Sequence, residues 1–400
     1  MSDTAEHAAA RPARGTRPAN RRDLIVAAAT ELFYRRGYAD VGTGDIADAV
    51  AVGPSALYRH FRNKNDLLRA VVGQPIAIVT ELLDAARAEP DTDLARTLAT
   101  AMLDQRAIGV LWHREARHLD PDARTELRQR ARGIGARFAD LLRTRTPRLT
   151  PAQAEIIGWA ALSTASSISF HNLELPRQRF VQVLTDMVDA ILTADLPVPR
   201  PAAAPPAGPS AGWSPSRRIA ILTAATKLFA EQGFSGVAVE DIGAAVGIAG
   251  PSVYNHFDSK ADILIAVLDQ GNHVLRADMY RDLTRATDAA DALDRLLTSY
   301  TEFAFEQTGL IRLLTSDIDQ LPAADRHRMR GVQHEYIAEW VQLVRQVHPG
   351  QDELEARLRV QAALSVINDL AATPRLRAAP DTPRLTRHLA AALLAPPNGR

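Results

Sequence analysis

The 400-residue sequence contains no cysteine. That removes disulfides, thiolate zinc sites and cysteine nucleophiles in one step, and it fits a reducing, cytoplasmic setting. An excess of charge is also missing. The 47 Lys and Arg are matched by 47 Asp and Glu, for a formal net charge of zero, so the chain as a whole does not advertise a polyanionic partner. The first residues, MSDTAEHAAARPARG, have no apolar stretch of the signal-peptide kind. The longest uncharged run, 156–173, is broken by Ser, Thr, His and Asn. It suits a buried helix rich in small residues better than a membrane span. Enzyme signatures are scarce as well: no G-x-x-x-x-G-K-[ST], no G-x-G-x-x-G and no nucleophile elbow is evident. The eleven histidines are dispersed. His113 and His118 leave opposite sides of a helix, and His327 and His334 are seven residues apart. No enzyme, metal or cofactor is expected.

What the sequence does contain is a repeat. Residues 22–72 lie over 218–268 without a gap at a shift of 196, with Ala28, Ala29, Leu32, Phe33, Gly37, Val41, Asp45, Ile46, Val50, Tyr58, His60, Phe61, Lys64 and Asp66 identical in both copies. The unit is a whole module of about 200 residues. Between the copies, 195–216 holds seven prolines, which forbid a regular helix and make a semi-rigid linker able to reach ~60 Å.

Nearly everything else has helical rhythm. Leu24, Ile25, Ala28, Ala29, Leu32 and Phe33 recur at i, i+3 and i+4 before Gly37, and Ile221, Ala224, Ala225, Leu228 and Phe229 do so before Gly233. Two short helices follow in each copy, near 43–50 and 54–60 in the first, and a longer helix starts near Lys64. No alternating strand pattern appears. The expected fold is all-α, with the chain divided into a basic arm (1–19), a head (20–66), a helical body (67–194), the linker (195–216), a second head (217–262) and a second body (263–395).

Two short helices joined by a few residues form a helix-turn-helix, whose second helix places its leading residues in the major groove. Val41, Ile46, Val50, Leu57 and Phe61 have the spacing to hold three helices together. Pro54, Ser55, Ala56, Tyr58, Arg59 and His60 are then left facing outward. Ser55 suits base or phosphate, Ala56 a thymine methyl, and Lys64 a phosphate at the start of the next helix. The run GPSALYRHF at 53–61, with the Gly-aromatic helix end before it, resembles the DNA-binding head of the tetracycline-repressor (TetR/AcrR) family. GPSVYNHF at 250–257 resembles it equally. About 50 residues of each copy carry the likeness. It implies DNA contact through Thr43, Ser55, Ala56, Tyr58 and Lys64, and through Pro251, Ser252, Tyr254 and Lys260; Asn255 and His256 share that face. Gly42 and Ala238 stand where the family often has threonine, which predicts weak caps on the second helix. Ala51 occupies a turn position at which the second copy has Gly247.

Charge differs between the heads. Residues 1–72 hold eleven Arg and Lys against eight acids, whereas 216–268 hold four against five. The first head is therefore expected to supply most of the electrostatic binding. The arm RPARGTRPANRR is either a minor-groove reader or a solubilising tail.

The resemblance further implies that each body forms a small-molecule cavity and a pairing surface. Trp112, His113, Glu115, Trp159, Phe170, His171 and Asn172 are the candidates in the first body, although a buried tryptophan under a charged face needs no ligand. Phe303, Phe305, Asp317, Asn368 and Asp369 are weaker candidates in the second. Gly73 and Pro75, and Gly271 in the second copy, are expected to interrupt the helix linking head to body, either as a hinge or as a plain stop and restart. The last two helices of each copy, 151–172 with 177–193 and 353–371 with 384–394, are expected to pair within one chain. The reading is a ligand-responsive repressor working on double-stranded operator DNA as a pseudo-dimer, homodimerisation being open. The alternative is a ligand-sensing or protein-interaction scaffold with one or both heads not binding DNA.

Overall fold

A computed structural model describes residues 21–198, 215–379 and 381–396. The basic arm and most of the linker lie outside the described residues. Among those residues the fold is all-α. The first copy comprises α1 (Arg21–Arg36), α2 (Thr43–Ala49), α3 (Pro54–Leu57), α4 (Lys64–Ala88), α5 (Leu94–Asp104), α6 (Ala107–Glu115), α7 (Pro121–Arg145), α8 (Pro151–Ser166) and α9 (Arg177–Leu192). The second comprises α10 (Arg217–Gln232), α11 (Val239–Ala245), α12 (Gly250–Val253), α13 (Lys260–Arg285), α14 (Ala289–Glu306), α15 (Thr308–Ser316), α16 (Ala323–Val347), α17 (Glu353–Ala372), α18 (Pro374–Arg377) and α19 (Thr382–Leu394).

Each head is a three-helix unit closed by the start of the long fourth helix. Ile25, Ala29 and Phe33 line the buried face of α1. That helix ends at Gly37, whose φ of +82° suits glycine and whose N–H donates to the Phe33 carbonyl. Gly233 ends α10 in the same way at φ +78°. Val41, Ile46, Val50, Leu57 and Phe61 are all buried in the first head, and Val237, Ile242, Val253 and Phe257 in the second. Side-chain caps start the fourth helices: Asn63 accepts from the Asp66 N–H, and Ser259 accepts from the Asp262 N–H.

The fourth helix corrects one expectation. α4 runs unbroken through Gly73 and Pro75, and α13 runs unbroken through Gly271. A proline removes one i→i−4 bond, but Leu68, Val71, Val72, Ile76 and Val79 bury a continuous stripe across that site. Packing on both sides of the missing bond keeps the rod whole. One helix therefore belongs to both head and body, and the head–body divisions drawn after residues 66 and 262 fall inside helices.

The bodies meet through their last helices: α8 packs on α17, and α9 and α19 flank them. Small residues suit the close approach: Ala160, Ala161 and Ala165 of α8 and Ala356, Ala362 and Ala363 of α17 are all fully buried. Polar ties cross it. Arg375 pairs with Glu155 at 2.8 Å, Arg179 pairs with Glu355, and the Ser163 hydroxyl donates to Asp369. The uncharged run at 156–173 is thus an interface helix, and no helix of the described residues is long and apolar enough to cross a membrane.

Candidate nucleic-acid interface and ligand cleft

In the first head, α3 is a single turn that lifts its polar tips off an apolar base. Leu57 and Phe61 are buried beneath it, whereas Ser55, Tyr58, Arg59 and His60 are exposed and Ala56 is half-buried. The side chain of Pro54 lies outside those described. Tyr58 keeps 51% of its surface exposed. Its hydroxyl lies 3.2 Å from Thr43 Oγ1, so the first residue of α2 and the tip of α3 form one polar edge. The cap of α2 is stronger than Gly42 suggests. Asp45 reaches back from the third helical position, and its carboxylate accepts from the Gly42 N–H at 2.7 Å, which lowers the Asp45 pKa. The Lys64 ammonium stands 4.1 Å from the centre of the Tyr38 ring, and partial burial lowers its pKa.

The second head repeats the frame with other chemistry at the tip. Pro251, Tyr254 and Asn255 are exposed, and Ser252 and His256 are half-buried. Tyr254, 49% exposed, faces a position where Val239 replaces Thr43, so no hydroxyl tethers it. Asp241 accepts from the Ala238 N–H at 2.8 Å, the same reach-back half of a capping box, while Ala238 offers no side-chain cap. Lys260 is placed differently from Lys64. Its Nζ donates to the carbonyls of Phe234 and Val237, both at 2.9 Å, and lies 4.4 Å from the Phe234 ring centre. Arg218 donates to the His256 carbonyl at 2.7 Å and sits over Phe257. Two of this head's few cations thus hold its own loops.

Between the copies lies a cleft of about 1500 Å³. Trp112, Trp159, Phe170, His171 and Asn172 come together on its first-copy wall, and Asp317, Asn368 and Asp369 on its second-copy wall. The side chain of His113 lies outside those described. Phe303 is in the core, and neither it nor Phe305 lines the cleft. His171 is fixed through its loop: Arg106 donates to the carbonyls of Ile168, His171 and Leu173. Burial, with the Arg106 charge added, pushes the His171 pKa down to about 4, so the ring is neutral near pH 7. Its Nδ1 accepts from the Leu173 N–H at 3.3 Å, which leaves the proton on Nε2.

The family profile for bacterial regulatory proteins of the tetR family matches residues 25–71 and again 221–267. The chain carries the tetR-family head twice, once in each copy. Among curated relatives, the HTH-type transcriptional repressor KstR2 of Rhodococcus jostii is 32% identical over 111 residues, 28% of this chain and 54% of that protein. The HTH-type transcriptional activator FasR of Mycolicibacterium smegmatis is 35% identical over 99 residues, 23% of this chain and 45% of that protein. The chain thus spans about half the length of the curated relatives it matches. A solved TetR-family transcriptional regulator from Bordetella parapertussis is 20% identical, over 45% of this chain and 92% of that one, with a TM-score of 0.41.

The first tetR-family head is clamped to its body by a residue that its sequence position suggested for the ligand. Glu115, 2% exposed, does not line the cleft. Its carboxylate accepts from the Tyr38 N–H at 3.2 Å and pairs with Arg114, whose guanidinium also donates to the Phe33 and Tyr34 carbonyls at the end of α1. Asn65 adds a bond to the His118 carbonyl at 2.7 Å. In the second copy Asp317, 1% exposed, takes the place of Glu115, but its cation comes from the other copy: Arg117 donates to it at 2.8 Å. Arg117 also lies against Gly233, where an added Cβ would come within 3.2 Å of it.

Sequence reasoning missed Arg117 and the arginines of α7. Arg124, Arg128 and Arg132, four apart and so on one helical face, were the available signal. The one G-x-S-x-G match, GPSAG at 208–212, falls in the proline-rich linker outside the described residues, with no strand or helix signal to present its serine. Among the described residues no three His, Asp or Glu stand close enough to hold a metal.

Proposed function

We propose that this protein is a sequence-specific, cytoplasmic DNA-binding regulator, a repressor released by a small molecule, whose two heads read unequal half-sites of an imperfect palindrome as a pseudo-dimer within one chain. The observation that carries the reading is the duplicated exposed tip over a buried base: Tyr58, Arg59 and His60 in one head, Tyr254 and Asn255 in the other. Thr43, Pro54, Ser55, Ala56 and Lys64 complete the first reading edge, and Pro251, Ser252, His256 and Lys260 the second. Arginine suits guanine and asparagine suits adenine, so the half-sites differ. Packing of α8 and α9 on α17 and α19 supports pairing within the chain. A tether of this length also holds the partner at an effective concentration near millimolar. Trp112, Trp159, Phe170, His171 and Asn172 are proposed to meet the effector. One curated relative is named a repressor and another an activator, so repression here rests on the family expectation alone.

Gel shift with the DNA upstream of the protein's own coding sequence tests the proposal. Saturable, sequence-selective binding by a species that light scattering sizes as one chain is expected. Equal indifference to every duplex at low salt ends it and leaves the scaffold reading.

A further inference from the structure

We infer that the two bodies share one binding site, the cleft between them, and that it takes a small molecule joining a phosphate group to an aromatic or apolar portion. The inference rests on the ligand-responsive reading above and adds the place, the stoichiometry and the chemical class.

Charge is the first argument. Eleven arginines, no lysine and five carboxylates line the cleft, in a chain whose formal net charge is zero. Five of the arginines are already paired: Arg35 with Glu31, Arg114 with Glu115, Arg117 with Asp317, Arg330 with Asp319 and Arg375 with Glu155. Among the described residues Arg124, Arg128 and Arg312 form no ion pair. Arg124 donates to the carbonyls of Arg117 and Leu119, and Arg312 to that of Ala230. Carbonyl bonds orient a guanidinium and leave its charge in place. Desolvation first, then the like charge of Arg117, lowers the Arg312 pKa; Arg128 and Arg124 add to the shift and Asp317 opposes it.

Shape and the choice of residue are the second. Guanidinium forks match phosphate oxygens two at a time, a geometry that ammonium groups lack. Trp112 and Trp159 on the same wall offer flat apolar faces, and His171 Nε2 is a buried donor with no acceptor. At about 1500 Å³ the space exceeds the roughly 300–1,000 Å³ of common ligand pockets. It has room for a ligand with two chemically distinct ends.

The site also reaches the heads. Arg312 holds the last turn of α10, and Arg124 holds the corner carrying Arg117, which lies on Gly233. An anion drawn between α7 and α15 would pull on both, fixing the spacing of the recognition tips.

The test titrates the full chain with 1-naphthyl phosphate, inorganic pyrophosphate and uncharged 1-naphthol by calorimetry and tryptophan fluorescence. One equivalent of 1-naphthyl phosphate per chain is expected, bound more tightly than either other probe. The double change Arg124→Gln with Arg312→Gln should weaken it at least tenfold, while Arg124→Lys with Arg312→Lys, which keeps the charges but loses the forks, falls between the Gln pair and the wild type; unchanged urea midpoints in both pairs show that binding rather than folding was lost. Absence of binding at millimolar probe, two equivalents per chain, or equal affinity in the Gln pair overturns the inference. So does a Gln pair whose only defect is weaker DNA binding, since the arginines then serve the duplex. An uncharged metabolite that releases DNA from the wild type and the Gln pair alike leaves the ligand-responsive regulator standing and removes the anion site. Anion binding without any DNA binding removes the regulator and keeps the site.

Discussion

In the first head the chain leaves α2 through Ala51 at φ +54°; in the second, Gly247 takes the same place at +71°. Both turns are left-handed, but only one uses the residue that tolerates it. Around these matching turns the cations are arranged differently. Lys64 rests on the Tyr38 ring, while Lys260 is bonded to two carbonyls. The joints differ too: Glu115 is neutralised by its own copy and Asp317 by the other. A duplicated frame has kept its apolar base and its turns, and it has diverged in its charged contacts, which can change without disturbing the core.

Four changes test this contrast. The largest effect is expected at the borrowed ion pair. Arg117→Ala leaves buried Asp317 with the Ser316 hydroxyl and no ion pair, and breaking a buried pair costs about 3–5 kcal/mol. Urea unfolding should show the loss in the second copy, although the substitution is in the first; a loss confined to the first copy refutes the borrowed joint.

Acid comes next. A histidine held neutral near pKa 4 against an unfolded value near 6.5 binds its proton more readily in the unfolded chain. Stability therefore falls as pH drops from about 6.5 to 4, by no more than about 3 kcal/mol, and levels off below. The second copy has no histidine in 373–381, after α17, so this share of the effect belongs to the first; burial also lowers His118 in the first copy and His348 in the second, which add to it with the same sign. His171→Gln should flatten that part of the pH profile; identical profiles for variant and wild type count against it.

On DNA, Arg59→Ala with Tyr58→Ala should weaken operator binding by about 1–3 kcal/mol per lost base contact, and more than Asn255→Ala with Tyr254→Ala. Equal losses in competition gel shifts would make the heads equivalent. Smallest is the turn. Ala51→Gly should stabilise the first head by about 0.5–1 kcal/mol and Gly247→Ala destabilise the second by a similar amount, read from thermal melts.

Much of the frame was legible because it is local. Phe33 before Gly37 and Phe229 before Gly233 mark helix ends by rules that act within one turn, and the repeat exposed both heads at once. The continuity of α4 was not legible, because proline's penalty is local whereas the burial of Val71, Val72 and Ile76 that offsets it is tertiary. Glu115 reads as a polar group near a tryptophan; nothing in its neighbours says that it turns toward Tyr38, 77 residues away in sequence. Arg117 and Asp317, 200 residues apart, are joined only by the folding of one copy against the other.

That last pair occurs once, and a symmetric dimer would have it twice. The place of Arg117 in the second copy is held by Asp319, itself bonded to Arg330. With Asp319 in that place, Asp317 would lose the guanidinium that now reaches it from the other copy. The two halves are not interchangeable at this seam: whatever lies against the second body there must bring a cation to the place that Arg117 fills.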